Sequence, residues 1–147
     1  MAAAGHVDKN LLDALNDLPF YKQSGPKSLG KEWVDEIMIP LLDNSEASNE
    51  DNLSTFSHHI AQQIAVHTGT DNHKKVLVTG GGTFNKYLVS LIRAAIKPQL
   101  IIPDTLTINF KEALIFAFLG VLRSRNEINC LSSVTGALQD GSCGAQY

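Results

Sequence analysis

The sequence predicts an α/β fold that is rich in helix and contains one short parallel βαβ unit around residues 76–102. Three observations carry this expectation. Val76-Leu77-Val78-Thr79 is a β-branched run that empties into Gly80-Gly81-Gly82 and then into an apolar-faced helix, roughly Asn85 to Lys97. Leu100-Ile101-Ile102, just after Pro98, reads as a second short strand. Elsewhere apolar residues recur at helical spacing. Two strands joined by one helix run parallel by default, with a right-handed crossover. Two strands alone do not make a stable sheet, because each lacks an outer neighbour and covered faces. The chain therefore reads as a single partial domain over residues 1–147, belonging to a larger α/β domain or to a subunit, such as one half of a homodimer, that borrows sheet from its partner.

Composition narrows the function classes. A chain of 147 residues can bury about two-thirds of its unfolded surface. The net charge of −3 argues against a nucleic-acid groove, which needs an excess of Lys and Arg. No membrane is expected as a partner: the most apolar run, Ala113 to Leu122, is short and flanked by Lys111, Glu112, Arg123 and Arg125, so it predicts a buried helix. The start has neither a basic segment nor a long apolar one, so no signal peptide is expected and a cytoplasmic location is the default. Cys130 and Cys143 lack the spacing of a disulfide framework or a zinc site, and no metal ligands are assigned.

In chain order, Asn10 suits the cap of a short amphipathic helix through Leu11, Leu12, Leu15 and Leu18, ended by Pro19. A loop, Ser24 to Gly30, leads into a helix from Lys31 to Ile39 that Pro40 makes hard to continue. Lys27 and Ser28 in that loop are candidate anion ligands in a cleft, and Ser28 equally suits the helix N-cap. The polar run Asp43 to Asn52 reads as a solvated loop. From Leu53, apolar Phe56, Ile60 and Ile64 describe the buried face of a helix that stops before Gly69. His59, Gln63 and His67 predict a hydrated polar face, since positions two turns apart cannot share one ion. Farther on, Asn109 with Glu112 three residues later suits a capping box for the helix Ile108 to Arg123, whose apolar surroundings predict a central, buried position. Lys111 and Glu112 in its first turn are structural or face a cleft.

The triple glycine is the chemical focus. Without Cβ atoms the backbone can adopt φ > 0 and a ligand can approach its N–H groups, next to the positive end of the following helix. A phosphate, ribose or nucleotide fits such a place, and so does a plain tight turn. It is not a P-loop: Asn85 stands where the second glycine belongs and Tyr87 where a Ser or Thr must reach magnesium. The dinucleotide fingerprint is met only in part, by Gly80, Gly82 and a distant Asp104, with Asn85 replacing the third glycine.

Five blocks occur in order: Gly25-Pro26-Lys27-Ser28-Leu29-Gly30-Lys31-Glu32; Thr55-Phe56 with His59-Ile60-Ala61; Leu77 to Asn85; Phe110-Lys111-Glu112-Ala113-Leu114-Ile115-Phe116-Ala117; and Ser133-Val134-Thr135-Gly136-Ala137. In these the chain resembles, from end to end, the C-terminal part of the anhydro-N-acetylmuramic acid kinases. The resemblance implies an actin-like, ribonuclease-H-type ATPase fold with ATP between two lobes. It implies a cytoplasmic sugar kinase of cell-wall recycling, using ATP with Mg, that opens a 1,6-anhydro ring with water while phosphorylating O6. It assigns Gly80, Gly81, Gly82, Thr83 and Asn85 to the nucleotide and Glu112 to the sugar cleft. Asn109 departs from the family, where the residue before Phe110 is usually acidic. The family's phosphate loops and its water-activating aspartate have no match here, so no catalytic residue is assigned. The anhydro-sugar is expected as a partner only if an N-terminal lobe is supplied, and the expectation is a nucleotide-binding portion that is inactive alone. A non-catalytic nucleotide-binding or interaction module and a dinucleotide-dependent enzyme are the alternatives.

Overall fold

The structure, a computed structural model, describes residues 1–24 and 27–145; Gly25 and Pro26, in the loop that carries Lys27 and Ser28, lie outside them. The chain forms two compact units, Met1–Pro103 and Asp104–Tyr147.

The first unit is built around one long helix. After a short turn at Ala2–Ala4 come α1 (Lys9–Asn16), α2 (Pro19–Lys22), α3 (Lys31–Trp33), a π-turn (Val34–Met38), α4 (Ile39–Asp43) and α5 (Asn49–Thr68). Then follow β1 (Lys75–Leu77), a 3-10 turn (Gly81–Phe84), α6 (Lys86–Ala95) and β2 (Gln99–Ile101). The two strands pair in parallel, with Val76 opposite Leu100, as the βαβ reading expects. Among the described residues this sheet has two strands, and Leu77 is 58% exposed. Two apolar clusters flank α5. Leu11, Leu15 and Met38 form one, with Trp33, Leu42 and Phe56 against it; Ala61, Ile92 and Ile96 form the other, with Ile64, Val76 and Leu100.

Several local expectations are corrected. The cap of α1 is Asp8, whose carboxylate accepts from Leu11 N–H at 3.0 Å, rather than Asn10. Gly30 precedes α3 with no side-chain cap, so Ser28 does not cap it. Helical structure continues past Pro40 because the π-turn widens the spiral beforehand, with Ile39 N–H donating to Val34 O five residues back. Pro40 then sits in the first turn of α4, where its missing N–H and ring cost nothing. The end of the polar run is helical: Ser48 caps α5 by accepting from Asp51 N–H at 3.2 Å and donates to the Asp51 carboxylate at 2.8 Å.

The buried surface of α5 is wider and more polar than the apolar face expected, which Phe56 and Ile64 do pack inward. Leu53 is 43% exposed, whereas Ser54, Thr55, Ser57 and His59 are buried. Each has a hydrogen-bond partner, which removes most of the desolvation cost. Thr55 Oγ1 accepts from Asp8 N–H at 2.9 Å, Ser54 Oγ lies 3.1 Å from the Tyr87 hydroxyl, and Ser57 Oγ donates to Leu53 O at 2.7 Å.

The second unit contains α7 (Thr105–Ser124) and α8 (Ser132–Thr135), the latter ended by Gly136 in the left-handed region at φ 73°. Asp104 caps α7: it accepts from Thr107 N–H and from Thr107 Oγ1, each at 2.9 Å, and these bonds hold its carboxyl below the usual range. The helix thus begins a turn earlier than predicted, and Asn109 is inside it rather than capping it. The prediction of a central, buried helix is overturned as well. Only Ile108 of α7 is buried, while Leu106, Leu114 and Phe116 are about 70% exposed. Among the described residues the rest of this unit is one short helix and loops, too little to cover an apolar cylinder of 20 residues. By length and composition α7 could cross a membrane, with a mean hydropathy of 1.5, which corrects the reading of a run too short to do so. Lys111 and Glu112 inside it oppose that use, at about 2.5–3.5 kcal/mol for each charge near a bilayer centre.

The N-terminal segment is pinned to α5 by His6 N–H donating to Asp51 Oδ1 at 2.6 Å. A Cβ on Gly5 would lie 2.1 Å from the Glu50 carbonyl oxygen, a backbone atom that cannot move aside. Gly5→Ala is therefore expected to destabilise the first unit by about 1–3 kcal/mol, read as a lower urea midpoint; an unchanged midpoint would remove this contact from the account.

Candidate functional site

The strand-to-helix turn after β1 is formed by a short series of backbone hydrogen bonds. Val78 N–H donates to Ile101 O at 3.0 Å, carrying the parallel ladder one residue beyond β1. Gly80 then takes φ 84°, where a side chain is strained. Thr83 N–H closes onto Gly80 O and Asn85 N–H onto Gly82 O, both at 3.0 Å. Asn85 caps α6, its Oδ1 accepting from Leu88 N–H at 3.1 Å.

The three glycines differ in what they do for the fold. Gly80 is needed for its backbone angle. Gly81 and Gly82 are not at positive φ, and a Cβ built on either meets nothing within 4 Å. Both are exposed, and as the first residues of a helical turn they begin with N–H groups that the turn does not satisfy. Local folding therefore gives no reason for glycine at 81 and 82, but close approach by a ligand would.

The other assigned residues are placed as follows. Thr83 is buried, and its Oγ1 has no hydrogen-bond partner among the described residues. Among the described residues Asn85 Nδ2 has no hydrogen-bond partner, its Oδ1 being the capping atom. Phe84 is 54% exposed on the same turn, a ring that periodicity could not single out because it has no partner in the helical pattern. Glu112 is exposed in the second turn of α7, not at a buried helix start. Asp104, the acid of the dinucleotide reading, is occupied in capping α7. Ser28 is exposed, and the Lys27 ammonium donates to the carbonyls of Phe20, Tyr21 and Gln23 at 3.1–3.2 Å, around the end of α2.

Lys27 also lines an open cavity of about 680 Å³ between the helices of the first unit, with Tyr21, Trp33, Phe56, His59 and His67. The hydrated-face expectation holds at exposed His67 but fails at His59, which is 1% exposed. Its Nδ1 lies 2.7 Å from Asn16 Oδ1, which can only accept, so Nδ1 carries the proton. Nε2 then accepts from the Tyr21 hydroxyl at 3.0 Å. Gln63 Nε2 donates to the same Asn16 oxygen at 2.9 Å. Burial pushes His59 down to about 4 and pushes the Tyr21 phenol up, so both are neutral at pH 7. Only tertiary packing reveals this network: Asn16 and Tyr21 are remote from His59 in sequence.

Comparison with known proteins agrees with the five sequence blocks. The family model described as anhydro-N-acetylmuramic acid kinase matches residues 1–147. The chain is 34% identical over 142 residues to the anhydro-N-acetylmuramic acid kinase of Rhodococcus erythropolis, covering 93% of this chain and 36% of that one. It is 35% identical over 154 residues to that of Actinobacillus pleuropneumoniae, covering 99% and 42%. A third, from Variovorax paradoxus, is 30% identical over 154 residues, covering 99% and 41%. The chain thus spans about two-fifths of the length of the curated relatives it matches.

The His59 network sets a pH dependence. His59 is neutral in the fold and titrates near its ordinary value of 6.5 when unfolded, so the unfolded chain binds the extra proton between 6.5 and about 4. Stability is therefore full above 6.5 and falls as the pH drops through that window. Between neutral pH and about pH 5 the expected loss is about 2 kcal/mol, measured by urea denaturation. His59→Gln should flatten that part of the profile, and an unchanged slope would refute the burial of a neutral imidazole.

Proposed function

Because this chain belongs to the anhydro-N-acetylmuramic acid kinase family, we propose that it is the C-terminal, ATP-binding portion of such a kinase, the nucleotide-side lobe of an actin-like ATPase fold. The observation that carries this reading is the pair Gly81 and Gly82, which are exposed and lack a Cβ without a conformational need for it. On this proposal their N–H groups and the Asn85 amide lie against the adenosine end of the nucleotide. The buried Thr83 hydroxyl, without a partner among the described residues, gains one through a small local shift when the nucleotide binds. Glu112 on α7 is proposed to hold a hydroxyl of the anhydro-amino-sugar.

The division of chemistry follows from the residues present. In the complete reaction ATP, as its Mg complex, supplies the phosphoryl group; phosphoryl transfer depends on clamping the phosphates and orienting the nucleophile. Nothing in these 147 residues corresponds to the phosphate loops or to the aspartate that would activate water. Loss of a general base alone removes about 10²- to 10⁴-fold, so the chain by itself is proposed to bind nucleotide without turning it over. The anhydro-sugar and a cytoplasmic setting belong to the same proposal, as does a partner, whether an N-terminal lobe or a second copy.

Calorimetry with ADP tests the carrying observation. The chain is expected to bind, Gly81→Ala and Gly82→Ala to weaken binding at least about tenfold with thermal midpoints unchanged, and Gly80→Ala to lower the midpoint itself through strain of about 1 kcal/mol or more. No heat with ADP, or alanine variants that bind as well as the parent, would reject the site. Thr83→Val keeps shape and removes the unpaired hydroxyl, so it should leave stability equal or higher while lowering ADP affinity. Release of phosphate from ATP and the anhydro-sugar by the purified chain would reject the claim that it is inactive alone.

A further inference from the structure

The second unit carries two thiols that the nucleotide reading does not use. Cys130 is half-buried and Cys143 exposed, and both are free. The backbone brings them together. Cys130 and Gly141 form an antiparallel bridge, Cys130 N–H donating to Gly141 O at 3.0 Å and Gly141 N–H to Cys130 O at 2.9 Å. Cys143 stands two residues beyond Gly141, on the same face as Cys130 by the alternation of extended chain. Its sulfur lies 4.0 Å from where a Cβ on Gly141, the residue opposite Cys130, would be.

The surroundings hold this arrangement in place. Cys143 N–H donates to Asn129 Oδ1 at 2.7 Å, and Asn129 Nδ2 donates to Cys143 O at 2.9 Å and to Leu119 O at 3.2 Å. Arg123, near the end of α7, donates from Nε to Gly144 O at 2.8 Å and from Nη1 to Ser142 Oγ at 3.3 Å. The tail is thus fastened on both sides of Cys143. The neighbouring Cys143 thiol, then burial, push the Cys130 thiol up.

We propose that Cys130 and Cys143 form a redox-active dithiol that a peroxide converts to an intramolecular disulfide, closing residues 130–143 into a loop. Cys143, the more exposed, attacks as thiolate on one peroxide oxygen. The O–O bond breaks, a sulfenic acid forms on Cys143, and the other oxygen leaves as water with the thiol's proton. Cys130 then attacks that sulfur; the S–S bond forms, the S–O bond breaks, and the hydroxyl leaves as a second water with the Cys130 proton. Two thiols are oxidised by two electrons in all, and one hydrogen peroxide is reduced to two waters. The loop so closed contains α8 and the Gly136 turn, so the disulfide restrains that stretch.

The whole chain treated with hydrogen peroxide, then alkylated and analysed by intact mass and peptide mapping, tests this. The expected product has lost two hydrogens, takes up no alkylating agent, yields a peptide linking Cys130 to Cys143, and returns to two free thiols with dithiothreitol. Amide exchange across residues 131–140 should slow about tenfold on oxidation. Cys130→Ser and Cys143→Ser should each abolish the linked peptide and the slowing while leaving the circular dichroism of the chain unchanged. Retention of both free thiols, or disulfides only between separate chains, would overturn the proposal. An internal disulfide without slower exchange would overturn the restraint of the α8 loop.

Discussion

The row of buried hydrogen bonds along α5 fixes where the other helices of the first unit lie. Thr55 receives the backbone N–H of the residue that caps α1, His59 joins the last residue of α1 to Tyr21 in α2, and Ser54 meets Tyr87 in the first turn of α6. Apolar contacts alone would let these helices slide by a residue at modest cost, because Leu, Ile and Met side chains tolerate repacking. A hydrogen bond between buried groups does not tolerate it, since a shift leaves a donor or acceptor unsatisfied at about 1–3 kcal/mol. α6 thus starts where Ser54 and Tyr87 allow, and the glycine turn before it is positioned as a consequence.

Much of this was legible in sequence at the level of elements. The β-branched run into three glycines located the βαβ unit, and the partial sheet was foreseeable because two strands had no third to pair with. The largest difference between sequence pattern and structure comes from distant hydrogen-bond partners. Helical spacing marked Leu53, Phe56, Ile60 and Ile64 as the inner face of α5, yet the adjoining face with Ser54, Thr55, Ser57 and His59 is buried too, because distant residues satisfy it. Caps were misplaced for a related reason: Asp8 and Asp104 each stand before a residue that looked like a better start, and an acidic cap competes on geometry that a single sequence does not display. The π-turn before Pro40 could not be read at all, since nothing in Val34–Met38 distinguishes it from ordinary helix.

At the candidate site, sequence pattern indicated the place but not the roles within it. Gly80-Gly81-Gly82 reads as one feature in a line of letters. In three dimensions one glycine serves the backbone and two leave surface open, so only the first is required by the local fold. Glu112 is assigned by resemblance alone, and only its setting changes: the helix it was expected to begin starts at Thr105, so it stands exposed within α7.

The apolar surface of α7 bears on how this chain behaves in solution. Burying such surface is worth about 25 cal/mol for each Å², so a second copy or a covering lobe gains free energy by lying on it. Where a copy or a lobe does so, the folded population depends on its concentration by mass action. A long helix with this much exposed apolar surface makes protein concentration, beside temperature and pH, a variable to hold fixed when the stability of this chain is measured.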